Sequence, residues 1–183
     1  MKLHRGLMSL VAPALVAAGY VLFPAAVKGA DSGDSPEITK LLGDAKTEAY
    51  ELKQDSDELN GFVKSRLSWE SHATKIESIK EHVNATGKLL AKMKDAEALG
   101  SPWQKEAIVR IEPLLKELAA NTEMTINHLN ENKSKIHFTE FKDYVKANYE
   151  LATDLEALIR DFVNYGEAKD KFERLRGKLE VTG

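Results

Sequence analysis

The chain has no cysteine. That excludes disulfides, thiolate metal centres and covalently attached c-type haem, so any fold must be held by packing. Only 5 prolines and 11 glycines interrupt 183 residues, and aromatic residues make up 7%. With so few breakers and a wealth of Ala, Leu, Glu and Lys, propensity favours helix over strand. Strand-like alternation is missing, as are internal repeats, phosphate loops, dinucleotide fingerprints and serine-hydrolase elbows. Nothing in the sequence identifies a nucleophile, a base and an orienting partner together, which argues for a non-catalytic protein.

One long uncharged run is present. Lys2, His4 and Arg5 precede the stretch Leu7 to Val27, and Lys28 with "GADSGDSPE" follows it. Residues 1–30 therefore read as a signal peptide or an N-terminal membrane anchor, and 31–36 as a linker. Candidate cleavage motifs are Pro24-x-Ala26 and Val27-x-Gly29; cleavage after Ala30 would put Lys28 at a disfavoured position. The length of the run equally suits a span of the inner membrane by residues 7–27. Both readings keep the basic end inside and place the remainder in the periplasm or another extracytoplasmic space. Membrane contact is then expected only through the N-terminal segment, if it is uncleaved. Removing Lys2, Arg5 and Lys28 takes the 26 basic residues to 23 against 29 acidic ones, about −6, which gives no reason to bind nucleic acid.

From residue 37 to 183 the apolar residues recur at alternating spacings of three and four. The lines are Leu42–Ala45–Ala49–Leu52–Ser56–Leu59–Val63, then Trp69–His72–Ile76–Ile79–Val83–Thr86–Leu90–Met93. Ile108–Ile111–Leu115–Leu118–Thr122–Thr125–Leu129 and Phe141–Val145–Asn148–Ala152–Leu155–Ile159–Phe162 complete the set. Four such seams joined by short connections predict an all-α, antiparallel up-down-up-down four-helix bundle with a C-terminal helical extension. "SPWQ" marks a helix start, with Ser101 as N-cap, Pro102 at the first position and Gln104 completing a capping box. Pro113 should kink the third helix near Val109. The fourth helix should open near Thr139, pause at Gly166 and resume through Phe172, Leu175 and Leu179.

The stretches "SWESHATKIESIKEHVNATGKLL", "SPWQKEAIVRIEPLLKELAANTE" and "DLEALIRDFVNYG" resemble a family of uncharacterised exported bacterial helical proteins with no assigned activity. The similarity runs roughly from Trp69 to Gly166. It implies an exported bundle and supplies no functional residue.

Reflecting positions about the expected turns puts Ser56, Thr122 and Asn148 at one level, with His82 one turn along. This predicts a polar core layer whose members satisfy one another or line a small cavity. The same reflection gathers His72, His128 and His137 at one end. Imidazoles from separate helices can ligate a transition metal or the iron of non-covalent haem, with Met124, Glu131 and Glu140 as neighbours. Against that, no histidine follows a glutamate by three residues, the spacing known from bundle metal sites. The reading that follows is a structural or protein-interaction role for an exported bundle, with an unidentified protein or envelope partner and no cofactor. The alternative is a metal- or haem-binding bundle.

Overall fold

The computed structural model describes residues 33–180 apart from 66 and 137. The export or anchor segment, residues 31 and 32 of the linker and His137 lie outside the described residues. Those that are described form four α-helices and two single 3-10 turns, with no strand. Helix α1 spans Pro36–Phe62, α2 Trp69–Asp95, α3 Pro102–Glu131 and α4 Thr139–Glu180. The 3-10 turns Glu97–Leu99 and Lys133–Lys135 sit in the α2–α3 and α3–α4 connections.

α1 and α3 start where local chemistry supplies a cap. Ser35 caps α1, its Oγ accepting from the Ile38 amide, and Pro36 occupies the first turn, where a missing N–H costs nothing. The bundle thus begins inside the segment expected to be linker: Ser35 is buried, and Asp34 is bonded to α3 and α4. At α3 the Ser101 amide donates to Gln104 Oε1 at 3.1 Å, as the capping-box pattern requires. α3 runs unbroken through Pro113. Pro113 and Val109 both face solvent, so the carbonyl that the proline deprives of a donor lies on the wet side of the helix.

The four seams are the interior. Ile38, Leu42, Leu52, Leu59, Ile79, Ile111, Leu118, Phe141 and Leu155 are essentially inaccessible. Each such side chain contributes about 1.5–3 kcal/mol relative to exposure, which is what a chain without cross-links must rely on. α1 packs against α2 and α4, and α3 packs against the same two. At one end Phe62 of α1, His72 of α2, His128 of α3 and Phe141 of α4 are in ring contact. At the other, Ser35 meets Gln104, Ile38 meets Gly100, Asp34 meets Trp103 and Lys169, and Trp103 lies against Gly166.

α4 does not pause at Gly166: the helix is continuous over its 42 residues. Glycine is there because the Trp103 indole lies against it. A Cβ at Gly166 would come within 2.8 Å of Trp103 Cη2. At 1.5 Å per residue α4 is about 63 Å long, against about 40 Å for α1. Its last buried residue is Gly166, and from Glu167 to Glu180 all but Lys169 are exposed. The end of α4 is an overhang.

Candidate functional site

Two regions have chemistry beyond packing, one at each end. At the first, α2 begins after Ser68, and His72 sits one turn in, so its ring folds back onto the helix start. His72 Nδ1 lies 2.8 Å from the Ser68 carbonyl. A carbonyl only accepts, so Nδ1 donates this bond. The Nε2 of the same ring is buried and has no partner among the described residues. The ring is enclosed edge-on by Phe62 and Phe141, with centroids 5.8 and 5.7 Å away.

His128, on α3, reaches the same Phe141 from another side. It stacks on that ring at 6.0 Å and 23° and tilts against Tyr144 at 5.4 Å. Its Nε2 is also buried without a partner among the described residues, while its Nδ1 is 4.0 Å from the exposed Glu140 carboxylate. Trp69 closes this end beneath the Lys133 ammonium, which sits 4.2 Å from the ring centroid. Phe141 is thus the shared wall of two imidazoles whose free nitrogens are sealed from water. Met124 is 47% exposed and Glu131 is exposed, so neither faces this interior. Among the described residues no group of three or more His, Asp or Glu side chains is placed to hold a metal ion. His137 lies outside them.

The expected polar layer divides. Thr122 Oγ1 is 2.8 Å from both Asn148 Oδ1 and the Leu118 carbonyl. Asn148 Nδ2 donates to Thr125 Oγ1 at 2.7 Å, and Thr125 donates to the Asn121 carbonyl. This chain of bonds ties α3 to α4. Ser56 is fully buried, but its hydroxyl has no partner among the described residues. His82 does not join the layer. It lies beside Val83 rather than on the seam, and its Nδ1 is 2.8 Å from Glu48 while Nε2 is 3.7 Å from Asp55. Asp55 and Glu58 both bind Lys75 at 2.7 Å. Burial works against the Lys75 charge, yet these carboxylates outweigh it and hold its pKa above the ordinary value. His82 therefore belongs to a charged α1–α2 contact at the surface.

At the opposite end Gln104, read from sequence only as a capping residue, is a pivot. Its Oε1 accepts from the Ser35 amide at 2.8 Å, and its Nε2 donates to the Ser35 carbonyl and Thr39 Oγ1 at 2.9 and 3.0 Å. The amide side chain mimics a neighbouring backbone strand and fixes the start of α1 on α3. Asp34 adds a second tie, accepting from Trp103 Nε1 at 2.8 Å and pairing with Lys169 at 2.7 Å. Burial would raise the Asp34 carboxyl, but hydrogen bonds from Lys169, Ser101 and Trp103 outweigh it and hold the group below its ordinary value.

Compared with family models, with curated proteins and with solved structures, the chain matches none. Its chemistry must be read from its own residues.

Past this clamp the overhang of α4 presents Phe172, Leu175 and Leu179, exposed by 61, 50 and 76%, with Tyr165 at its root 54% exposed. Among the described residues no helix is long and apolar enough to cross a membrane.

Proposed function

We propose that the chain is an exported, non-catalytic, antiparallel up-down-up-down bundle with a structural or interaction role in the cell envelope. In this reading residues 1–30 direct it across the membrane and either leave or anchor it, and the α4 overhang engages an envelope partner. The observation that carries the proposal is the row Phe172, Leu175 and Leu179, exposed on a helix that has already left the core. A stripe of that kind is a surface for another apolar face. The resemblance to exported helical proteins agrees with it. A photo-reactive side chain at Leu175, activated in the native envelope, should capture an envelope component. Capture should be lost in the Phe172→Glu/Leu179→Glu variant without change in the unfolding midpoint. No adduct from the parent, or the same adducts from both chains, would overturn the proposal.

A second reading rests on the buried, unpartnered Nε2 atoms of His72 and His128. A neutral imidazole in that state is the form that ligates zinc, copper, nickel or haem iron. Elemental analysis and an absorption spectrum of protein purified from its native envelope without chelator test it. Stoichiometric metal or a Soret band, lost when both histidines become alanine, is the expected sign; colourless, metal-free protein eliminates the reading.

A further inference from the structure

Along the overhang the charges are sorted. Tyr165, Ala168, Phe172, Leu175 and Leu179 follow one another at alternating spacings of three and four and define one face. At about 100° per residue, Lys169 and Arg176 border that face on one side and Lys171 and Lys178 on the other. Glu167, Asp170 and Glu173 fall on the far half, with Arg174 beside them, and Glu180 lies next to Lys169 and Arg176 at its edge. The apolar row is thus edged by Lys171 and Lys178 on one side and by the ion-paired Lys169 and Arg176 on the other, in a chain whose overall balance is negative.

That arrangement selects the occupant. A second copy is disfavoured, because in parallel or antiparallel pairing the basic borders meet basic borders. A plane of anionic headgroups accepts both features at once. The apolar side chains enter the acyl boundary, the long stems of lysine and arginine reach phosphate, and the carboxylates stay in water. Among the described residues Arg176 is held by exposed pairs with Glu173 and Glu180, at 2.8 and 3.6 Å, which are weak enough to exchange for phosphate.

Asp34 is paired with Lys169 at the root of the overhang, and the overhang itself is about 21 Å long. We infer that residues 167–180 lie on an anionic lipid surface and hold the bundle's clamped end against it. This rests on the overhang being the docking element of the proposed function.

The absence of cysteine makes the test direct. Full-length Phe172→Cys and, separately, Leu175→Cys would carry a polarity-sensitive dye, with Lys64→Cys at the opposite end as control. Each is reconstituted in vesicles of phosphatidylcholine alone or mixed with phosphatidylglycerol, and quenched with iodide. Quenching at 172 and 175 should fall several-fold in the anionic vesicles alone, return in about 1 M salt, and never fall at 64. With about fivefold in partitioning per basic residue, Lys171→Glu/Lys178→Glu should abolish the protection; circular dichroism confirms that this variant is folded. Equal quenching in both vesicles overturns the inference. So does protection that grows with protein concentration without lipid, which would indicate a second copy. Protection that needs an added envelope protein fraction also overturns it, while leaving the envelope-partner reading standing.

Discussion

Gly166 of α4 lies directly under the indole of Trp103 of α3, so close that the position has no room for a methyl group. The ring cannot easily yield, because its Nε1 is bonded to Asp34 and its edge meets Tyr165 at 5.5 Å. Gly166→Ala gains about 1 kcal/mol of helix propensity but incurs about 1–3 kcal/mol of overpacking. We expect net destabilisation of about 1 kcal/mol, measured by thermal or urea unfolding, with altered Trp103 fluorescence in a Trp69→Phe background. A more stable variant would show that the ring is not held in place.

The same clamp has an acid limit. Asp34 is held below the ordinary carboxylate value of about 3.9 in the folded chain. A depressed folded value means that its contribution is complete above about pH 4 and is lost as pH falls through the lowered value. Asp34→Asn retains an acceptor for Trp103 but not the charge facing Lys169. Its stability–pH curve should lie below the parent's near neutrality and merge with it in acid. Parallel curves down to pH 2 would show that the carboxylate is not what links the two helices.

Much of this architecture was legible because the seams are strict. Every member of the α1 line from Leu42 to Val63 is buried, and His72, Thr86, Thr125 and Asn148 are buried at the seam positions their spacing assigned. Periodicity reports which face is inside and nothing about who stands opposite. That is why His82, one residue off its line, was grouped with Asn148 when Glu48 is its partner. Gln104 was recognisable as a capping residue, but its bonds to Ser35 span 69 positions, and no local pattern encodes them. Gly166 looked like a helix break for the same reason: the cause of the glycine is Trp103, on another helix.

The α3–α4 layer gives a sharper test of polar packing. Asn148 is 1% exposed, with Oδ1 facing Thr122 and Nδ2 facing Thr125. Asn148→Asp keeps the shape but places a carboxylate where a donor is needed. Burial raises its folded pKa above the unfolded value near 3.9, so the neutral acid, which can still donate, is the tolerated form. The variant should approach parental stability below about pH 4 and fall behind as pH rises through the raised value, by about 3 kcal/mol at pH 7. A constant deficit across that range would mean that water reaches the layer.

The two sealed imidazoles can be separated from a purely packing role by replacement with a side chain that has no nitrogen. Among the described residues His72 forms one side-chain hydrogen bond, to the Ser68 carbonyl, and leaves Nε2 buried and unmatched between Phe62 and Phe141. A buried unsatisfied group costs about 1–3 kcal/mol, whereas one ordinary hydrogen bond returns about 1 kcal/mol. His72→Leu should therefore be neutral or stabilising by about 1 kcal/mol in metal-free buffer. Ligation would add a second, independent response: the parent's unfolding midpoint would rise with Zn2+ or haemin by mass action, and the His72→Leu/His128→Leu variant would not follow. A His72→Leu variant that is severely destabilised without any ligand would instead show that the ring's contacts at the α2 start outweigh its orphaned nitrogen.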